Sequence, residues 1–172
     1  MENQNPKVLV VMGSDSDFDV MKSCLKNLQK FDIGFDCRVC SAHRTPDQAA
    51  ELAKTASEKG YELIIAAAGK AAHLPGVLAA FTILPVIGVP IKSDALDGMD
   101  ALLAMAQMPP GIPVATVAIN GAANSAVLAA EILAVKYPVV AEAMRAYKLE
   151  MRDKVIQKDK ALQARIETEF AK

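Results

Sequence analysis

Three runs of this chain are apolar at consecutive positions instead of alternating. They are "KVLVVM" (Lys7 to Met12), "ELIIAAA" (Glu62 to Ala68) and "LPVIGVPI" (Leu84 to Ile91). Strand side chains point alternately to two faces, so a strand apolar at nearly every position must be covered on both. Helices supply that cover when the strands are parallel, because each parallel crossover lays a helix on the sheet.

The intervening segments fit that demand. Between Phe18 and Lys30, Val20, Met21, Cys24, Leu25 and Leu28 recur at helical spacing, and Gly34 marks the turn back into a second strand, Phe35 to Cys40. A helix is expected from Pro46 to Lys59, with Pro46 in its first turn, Thr45 as its cap and Gly60 ending it. A short helix through Phe81 follows the third strand, and a helix from Leu96 to Gln107 follows the fourth. "PVATVAI" (Pro113 to Ile119) reads as a fifth strand and "AANSAVLAAEILA" as the helix after it.

Five strands alternating with five helices predict an α/β fold, a three-layer α/β/α sandwich with a parallel sheet, doubly wound in the flavodoxin-like or Rossmann-like manner. Ligands of such sheets bind at the carboxyl ends of the strands. That edge carries "GSDSD", "SAHR" and "GKAAH", and with them both histidines of the chain. At 172 residues a single domain is expected, with its core at about 7–133. Pro138 to Phe170 contains no glycine and no internal proline. Val140, Met144, Tyr147, Met151, Val155, Leu162 and Ile166 form its apolar stripe. An unbroken helix of that length spans about 50 Å, more than so small a core is wide, so its far end is expected to pack on another subunit. The alternative is a helix broken near Asp153 and folded back on its own domain.

Charge and composition narrow the partners. The net charge is -1, and no basic run is interleaved with aromatics, so nucleic acid is not an expected partner. No apolar run reaches membrane-spanning length and the N-terminus is polar, so the chain is expected to be soluble and cytoplasmic. Three cysteines cannot all pair within one chain, which suits a reducing compartment. Cys37 and Cys40 have a metal-like or redox-like spacing, but residues three apart on a strand face opposite ways. No cluster has metal-ligand spacing, and no dinucleotide or Walker-type loop occurs.

The candidate chemistry lies in three loops. "MGSDSD" offers an anion cradle in Gly13, Ser14 and Ser16, while Asp15 or Asp17 suits sugar hydroxyls better than phosphate; ordinary helix capping explains the same string. In "SAHRTP", Arg44 can clamp a phosphate with Ser41 beside it, and His43 can give and take a proton. The small residues of "AAAGKAAHLPG" let a flat ring lie against Gly69 and its neighbours. His73 either joins that pocket or caps the short helix that follows.

These motifs, with "PVIGVP" and "QMPPGIPVATVAINGAANSAVLAA", resemble in order and spacing the phosphoribosylaminoimidazole carboxylase family of de novo purine synthesis, over about Lys7 to Leu133. Within it they are most similar to the bacterial mutase branch. The resemblance implies a flavodoxin-like sandwich assembled as a homo-octamer, with sites at subunit contacts. It implies a reaction on a phosphoribosyl aminoimidazole, in which a carboxylate moves from the exocyclic N5 to ring carbon C4 without metal, nucleotide or biotin. It further implies that His43 is the catalytic histidine, that Ser14 and Asp17 bind substrate with Asp17 on the ribose, and that Arg44, with Ser16 and Ser41, clamps the phosphate. The backbone at Ala68 and Gly69 would face the ring. Lys70 departs from the mutase pattern, which usually has glycine there, while the carboxylase branch, which uses free CO2, tends to have arginine. Arg44 and "AAHLPG" favour the mutase branch. A noncatalytic phosphoribosyl-binding module or a receiver-type domain on the same fold is the alternative of another class.

Overall fold

The computed structural model describes residues 5–171. Its strands are β1 (Lys7–Met12), β2 (Gly34–Val39), β3 (Leu63–Gly69), β4 (Val86–Ile91) and β5 (Ala115–Thr116). All four pairings are parallel, in the order β2-β1-β3-β4-β5. The helices are α1 (Phe18–Lys30), α2 (Pro46–Thr55), α3 (Leu74–Phe81), α4 (Met99–Ala106), α5 (Ala122–Ala134) and α6 (Pro138–Phe170), and a single 3-10 turn (Asp15–Asp17) precedes α1.

The unbroken apolar runs behave as expected of doubly covered strands. From β1, Val8, Val10 and Met12 join a core with Met21 and Leu28 of α1 and Ala126 and Leu133 of α5. Leu9 and Val11 of the same strand join a second core with Ala49 and Ala53 of α2, Leu78 of α3 and Met105 of α4. The sheet therefore divides two apolar layers, which makes the fold a three-layer α/β/α sandwich. Cys37 packs against the first layer and Cys40 lies in the second, on opposite faces as the strand period requires. All three thiols are free. Burial pushes the Cys24 thiol up to about 11, so it is an inert core group.

Several boundaries differ from the sequence reading. Gly34 is the first residue of β2; the turn before it is made at Asp32, whose φ is 56°. Helix α2 stops at Thr55 and loosens into turns before Gly60. Thr45 does not cap α2 through its side chain. Its hydroxyl instead accepts from the Ser41 N–H and donates to the Ser41 carbonyl, both at 3.0 Å, which closes the "SAHRT" loop. Helix α4 begins at Met99, not Leu96.

Strand β5 is two residues long instead of seven. Its neighbour β4 contains Pro90, which has no N–H to donate. The Gly88 and Pro90 carbonyls both accept from the β5 side, at Val117 (3.1 Å) and Asn120 (2.8 Å). The return bond from position 90 cannot form, so the ladder ends.

Helix α6 is continuous over 33 residues, which excludes a break near Asp153. Val140 and Met144 are buried, and Tyr147 meets Phe31 edge-on at 5.2 Å. From Met151 to Phe170 every residue is exposed, including Val155, Ile156, Leu162 and Ile166. No helix among the described residues is long and apolar enough to cross a membrane.

Candidate active site

The chain leaves β1 toward β2 on one side and returns through β3 toward β4 and β5 on the other, so the order of winding reverses between β1 and β3. Loops leaving adjacent strands there diverge and open a crevice at the carboxyl edge. A cavity of about 630 Å³ fills it, lined by Gly13 and Ser14 after β1, Ser41 to Arg44 after β2, Ala68 to Leu74 after β3, and Ile91 to Asp94 after β4. Of the residues singled out in the sequence, Gly13, Ser14, Ser16, Asp17, Ser41, His43, Arg44, Ala68, Gly69, Lys70 and His73 line it, and Asp15 does not.

The β1 loop is a capping box. The Ser14 hydroxyl accepts from the Ser16 N–H at 3.3 Å, and Asp17 accepts from the Ser14 N–H at 3.3 Å. The Ser16 hydroxyl donates to Ser14 Oγ at 2.9 Å. The capping explanation of "GSDSD" is thus correct, and the same atoms also face the cavity. Asp17 is only 7% exposed. Burial raises its carboxyl above the ordinary range, opposed by hydrogen bonds from the Ser14 N–H and the Ser16 hydroxyl, with the Asp15 charge adding to the rise.

In the β2 loop, the Thr45 anchor and a 3.3 Å bond from the Arg44 N–H to Ser41 Oγ fold the chain so that His43 and Arg44 project outward. A smaller hollow of about 360 Å³ adjoins the main cavity, lined by Gly13, Ser14 and Asp15 after β1 and by residues from Val39 to Thr45, Arg44 among them, but by nothing from the β3 loop. The planar Arg44 guanidinium and the Ser14 and Ser41 hydroxyls offer a phosphate donors there, while the Asp15 carboxylate, which accepts from the Ser14 hydroxyl at 3.2 Å, lines the same hollow and opposes an anion.

His73 does not cap α3 through its side chain. Its Nδ1 lies 2.7 Å from Nε2 of His43, with the rings edge to face and their centroids 4.9 Å apart. Such a contact needs one nitrogen bearing a hydrogen and one offering a lone pair, so the rings hold a proton between them. His73 therefore belongs to the pocket, and a proton received by His43 can be shared with it.

The β3 loop passes close to β4. A Cβ at Gly69 would sit 3.0 Å from the Ile91 carbonyl oxygen, so only glycine fits there without displacing backbone. Lys70 and Ala72 then adopt left-handed backbone, with φ of 56° and 48°, at about 1 kcal/mol each for a residue with a Cβ. Ile91, the last residue of β4, and Lys92, Ser93 and Asp94 after it also line the cavity, although the sequence assigns the first to a strand and the other three to plain loop. Their position after the fourth apolar run, on the same edge as the other three loops, was the available signal. The Ser93 hydroxyl donates to Asp100 at 3.5 Å, and Lys92 pairs with Asp97 at 2.8 Å. Among the described residues no group of three histidine, cysteine or acidic side chains could hold a metal ion.

An imidazole pair in hydrogen-bond contact beside a hollow bordered by Arg44, at the switch point of a 2-1-3-4-5 sheet, gives the chain the layout of a flavodoxin-like α/β protein. The chain belongs to the AIR carboxylase family, whose model matches residues 7–154. It is 59% identical over 147 residues to the N5-carboxyaminoimidazole ribonucleotide mutase of Pyrococcus abyssi, covering 86% of this chain and 84% of that one. It is 52% identical over 158 residues to the mutase of the same name from Thermotoga maritima, covering 92% of both. The crystal structure of Treponema denticola PurE superposes with a TM-score of 0.82 at 27% identity, over 98% of this chain and all of that one.

Proposed function

We propose that this protein is an N5-carboxyaminoimidazole ribonucleotide mutase of de novo purine synthesis, acting in the cytoplasm. The observation that carries the reading is the His43 to His73 contact of 2.7 Å, set beside the Arg44 hollow in one cavity. The phosphate of the nucleotide occupies that hollow, held by Arg44, Ser41 and Ser14, with Ser16 on the adjoining wall of the main cavity. Asp17 accepts from the ribose hydroxyls, and the imidazole ring lies along Ala68 and Gly69, facing His43.

His43 gives a proton to the carbamate nitrogen N5, and the N5 to carboxyl carbon bond breaks to release CO2. The electron pair of that bond stays on nitrogen, leaving aminoimidazole ribonucleotide with a nucleophilic C4. C4 attacks the CO2 while the cavity still holds it, and the new carbon–carbon bond leaves C4 carrying an extra proton. His43, relieved of its first proton, removes this one and restores the aromatic ring. The two proton transfers cancel, as an isomerisation requires, and His73 shares the proton with His43 between them. Retaining CO2 replaces a dilute bimolecular encounter with a proximal one.

His43→Asn is expected to bind aminoimidazole ribonucleotide while losing about 100-fold to 10,000-fold in turnover. Undiminished turnover would refute the assignment. Supplying the carbamate at low CO2, against aminoimidazole ribonucleotide with bicarbonate, separates mutase from carboxylase: rapid conversion of the first marks a mutase.

Assembly is part of the same reading. The exposed apolar residues of α6 beyond Met151 support a single-domain subunit whose helical extension lies on a neighbour in a homo-octamer. Light scattering should give eight subunits, and a chain ending at residue 150 should give fewer.

A further inference from the structure

We propose that Lys70 holds the migrating carboxylate, and that it contributes to the binding of carboxylated nucleotides and not to the bond-making step. The assignment rests on the function proposed above and adds a specific role to it.

Backbone strain gives the first argument. Five described residues other than glycine have positive φ: Asp32, Lys70, Ala72, Asp97 and Asn120. Aspartate and asparagine enter that region readily because their side chains bond locally to the backbone; lysine and alanine gain nothing of the kind. The two that do not fit are both on the cavity wall, in one loop. A side chain kept where glycine would be at ease points to a use for that side chain.

Charge gives the second argument. Two lysines line the cavity, and Lys92 is already held by Asp97 at 2.8 Å. Among the described residues neither Lys70 nor Arg44 has an acidic partner within ion-pair distance. The two unpaired cations lie in different places: Arg44 borders both the main cavity and the smaller hollow, Lys70 the main cavity alone. The substrate carries two separated anionic groups, a phosphate and a carboxylate. With the phosphate in the Arg44 hollow and the ring beside the histidine pair, the carboxylate falls toward the loop that carries both His73 and Lys70.

The chemistry fixes the consequence. When CO2 departs it is neutral, so a cation beside the carboxylate favours substrate and product over the intermediate between them. The carboxylate still carries charge as the C–N bond begins to break, so an interaction made equally with the bound substrate and with that transition state lowers KM without raising kcat.

Lys70→Met keeps the length and removes the charge. It is expected to weaken binding of 4-carboxy-5-aminoimidazole ribonucleotide about tenfold and of aminoimidazole ribonucleotide less than twofold, with the loss in kcat/KM falling on KM. Equal weakening of the two nucleotides would place Lys70 on the phosphate and overturn the proposal, as would no change in either. Lys70→Gly should lose the same discrimination yet melt about 2–4 °C higher, since it relieves the strained φ; a lower melting temperature would show a packing role and also overturn it. If the wild-type protein bound neither nucleotide, the mutase reading itself would fail and this assignment with it. A wild type that turns over beside a fully discriminating Lys70→Met would sink this assignment alone.

Discussion

Asp17 and Asp36 lie at opposite edges of one sheet, and their carboxyls are shifted in opposite directions. At the amino edge Asp36 takes a 2.8 Å ion pair from Lys7 and a hydrogen bond from the Tyr61 hydroxyl, and these hold it below the usual carboxylate range. Glu62 nearby is engaged by Lys136 at 3.2 Å and by the Tyr137 hydroxyl. At the carboxyl edge Asp17 is buried and pushed up, Lys70 and Arg44 lack acidic partners among the described residues, and two loop residues are strained. The amino edge pairs these charges within the chain; at the carboxyl edge Lys92 is paired with Asp97, while Lys70 and Arg44 have no acidic partner among the described residues. Groups of the same chemistry serve stability at one end and, in the function proposed above, binding at the other.

Substitutions at the two edges should therefore separate activity from stability. The largest effect belongs to His43→Asn, with its expected loss of about 100-fold to 10,000-fold in kcat and a melting temperature within about 1 °C of wild type, because the ring is exposed. Arg44→Ala should raise KM about 10-fold to 100-fold, the value of a charge-assisted hydrogen bond to phosphate, again with little change in melting. An unaltered KM would break the contrast.

Asp17→Asn should raise KM about tenfold and the melting temperature by about 2 °C. The sign follows from linkage: a carboxyl whose folded pKa is raised is costly when ionised, and that cost disappears as pH falls through the folded pKa toward the unfolded value of about 4. The stability gained by Asp17→Asn at neutral pH should shrink in acid. Asp36→Asn is the smallest effect and the opposite one. A depressed folded pKa contributes stability above about pH 4 that is lost as pH falls further through the folded pKa. The variant should melt about 1–2 °C lower near neutrality, converge with wild type in acid, and show wild-type kinetics. Thermal melts from pH 3 to 8, run on both variants, test the pair together.

What the sequence conveyed follows the range of the interactions involved. Continuous apolar runs report local burial, so β1, β3 and β4 were legible to within two residues, as was the continuous stripe of α6. The strand order is a nonlocal pairing and left no local trace. The length of β5 was misjudged because the proline that ends its ladder sits in the neighbouring strand, 25 residues before Ala115. Thr45 was read as a cap because its position before Pro46 is typical of one; the competing bonds to Ser41 come from a loop closure that spacing does not reveal. Motif residues from Gly13 to His73 converged because each follows a strand, and strand ends share an edge. His73 stayed ambiguous until the sheet brought two loops, 30 residues apart, within hydrogen-bond reach. The β4 loop was missed since its residue types, lysine, serine and aspartate, look like ordinary solvated loop.

The last twenty residues of α6 have a consequence for how the subunit behaves when diluted. Within one chain they are held as a helix by their own backbone bonds and by pairs such as Lys154 to Glu150 and Arg165 to Glu169, each at 2.6 Å. Such pairs add only about 0.2–0.5 kcal/mol apiece and weaken with salt. An isolated protomer should fray from Phe170 inward, and amide exchange should quicken turn by turn toward that end. If the octamer proposed above forms, raising the protein concentration should slow exchange in this segment before any other, making the tip of the helix a gauge of assembly.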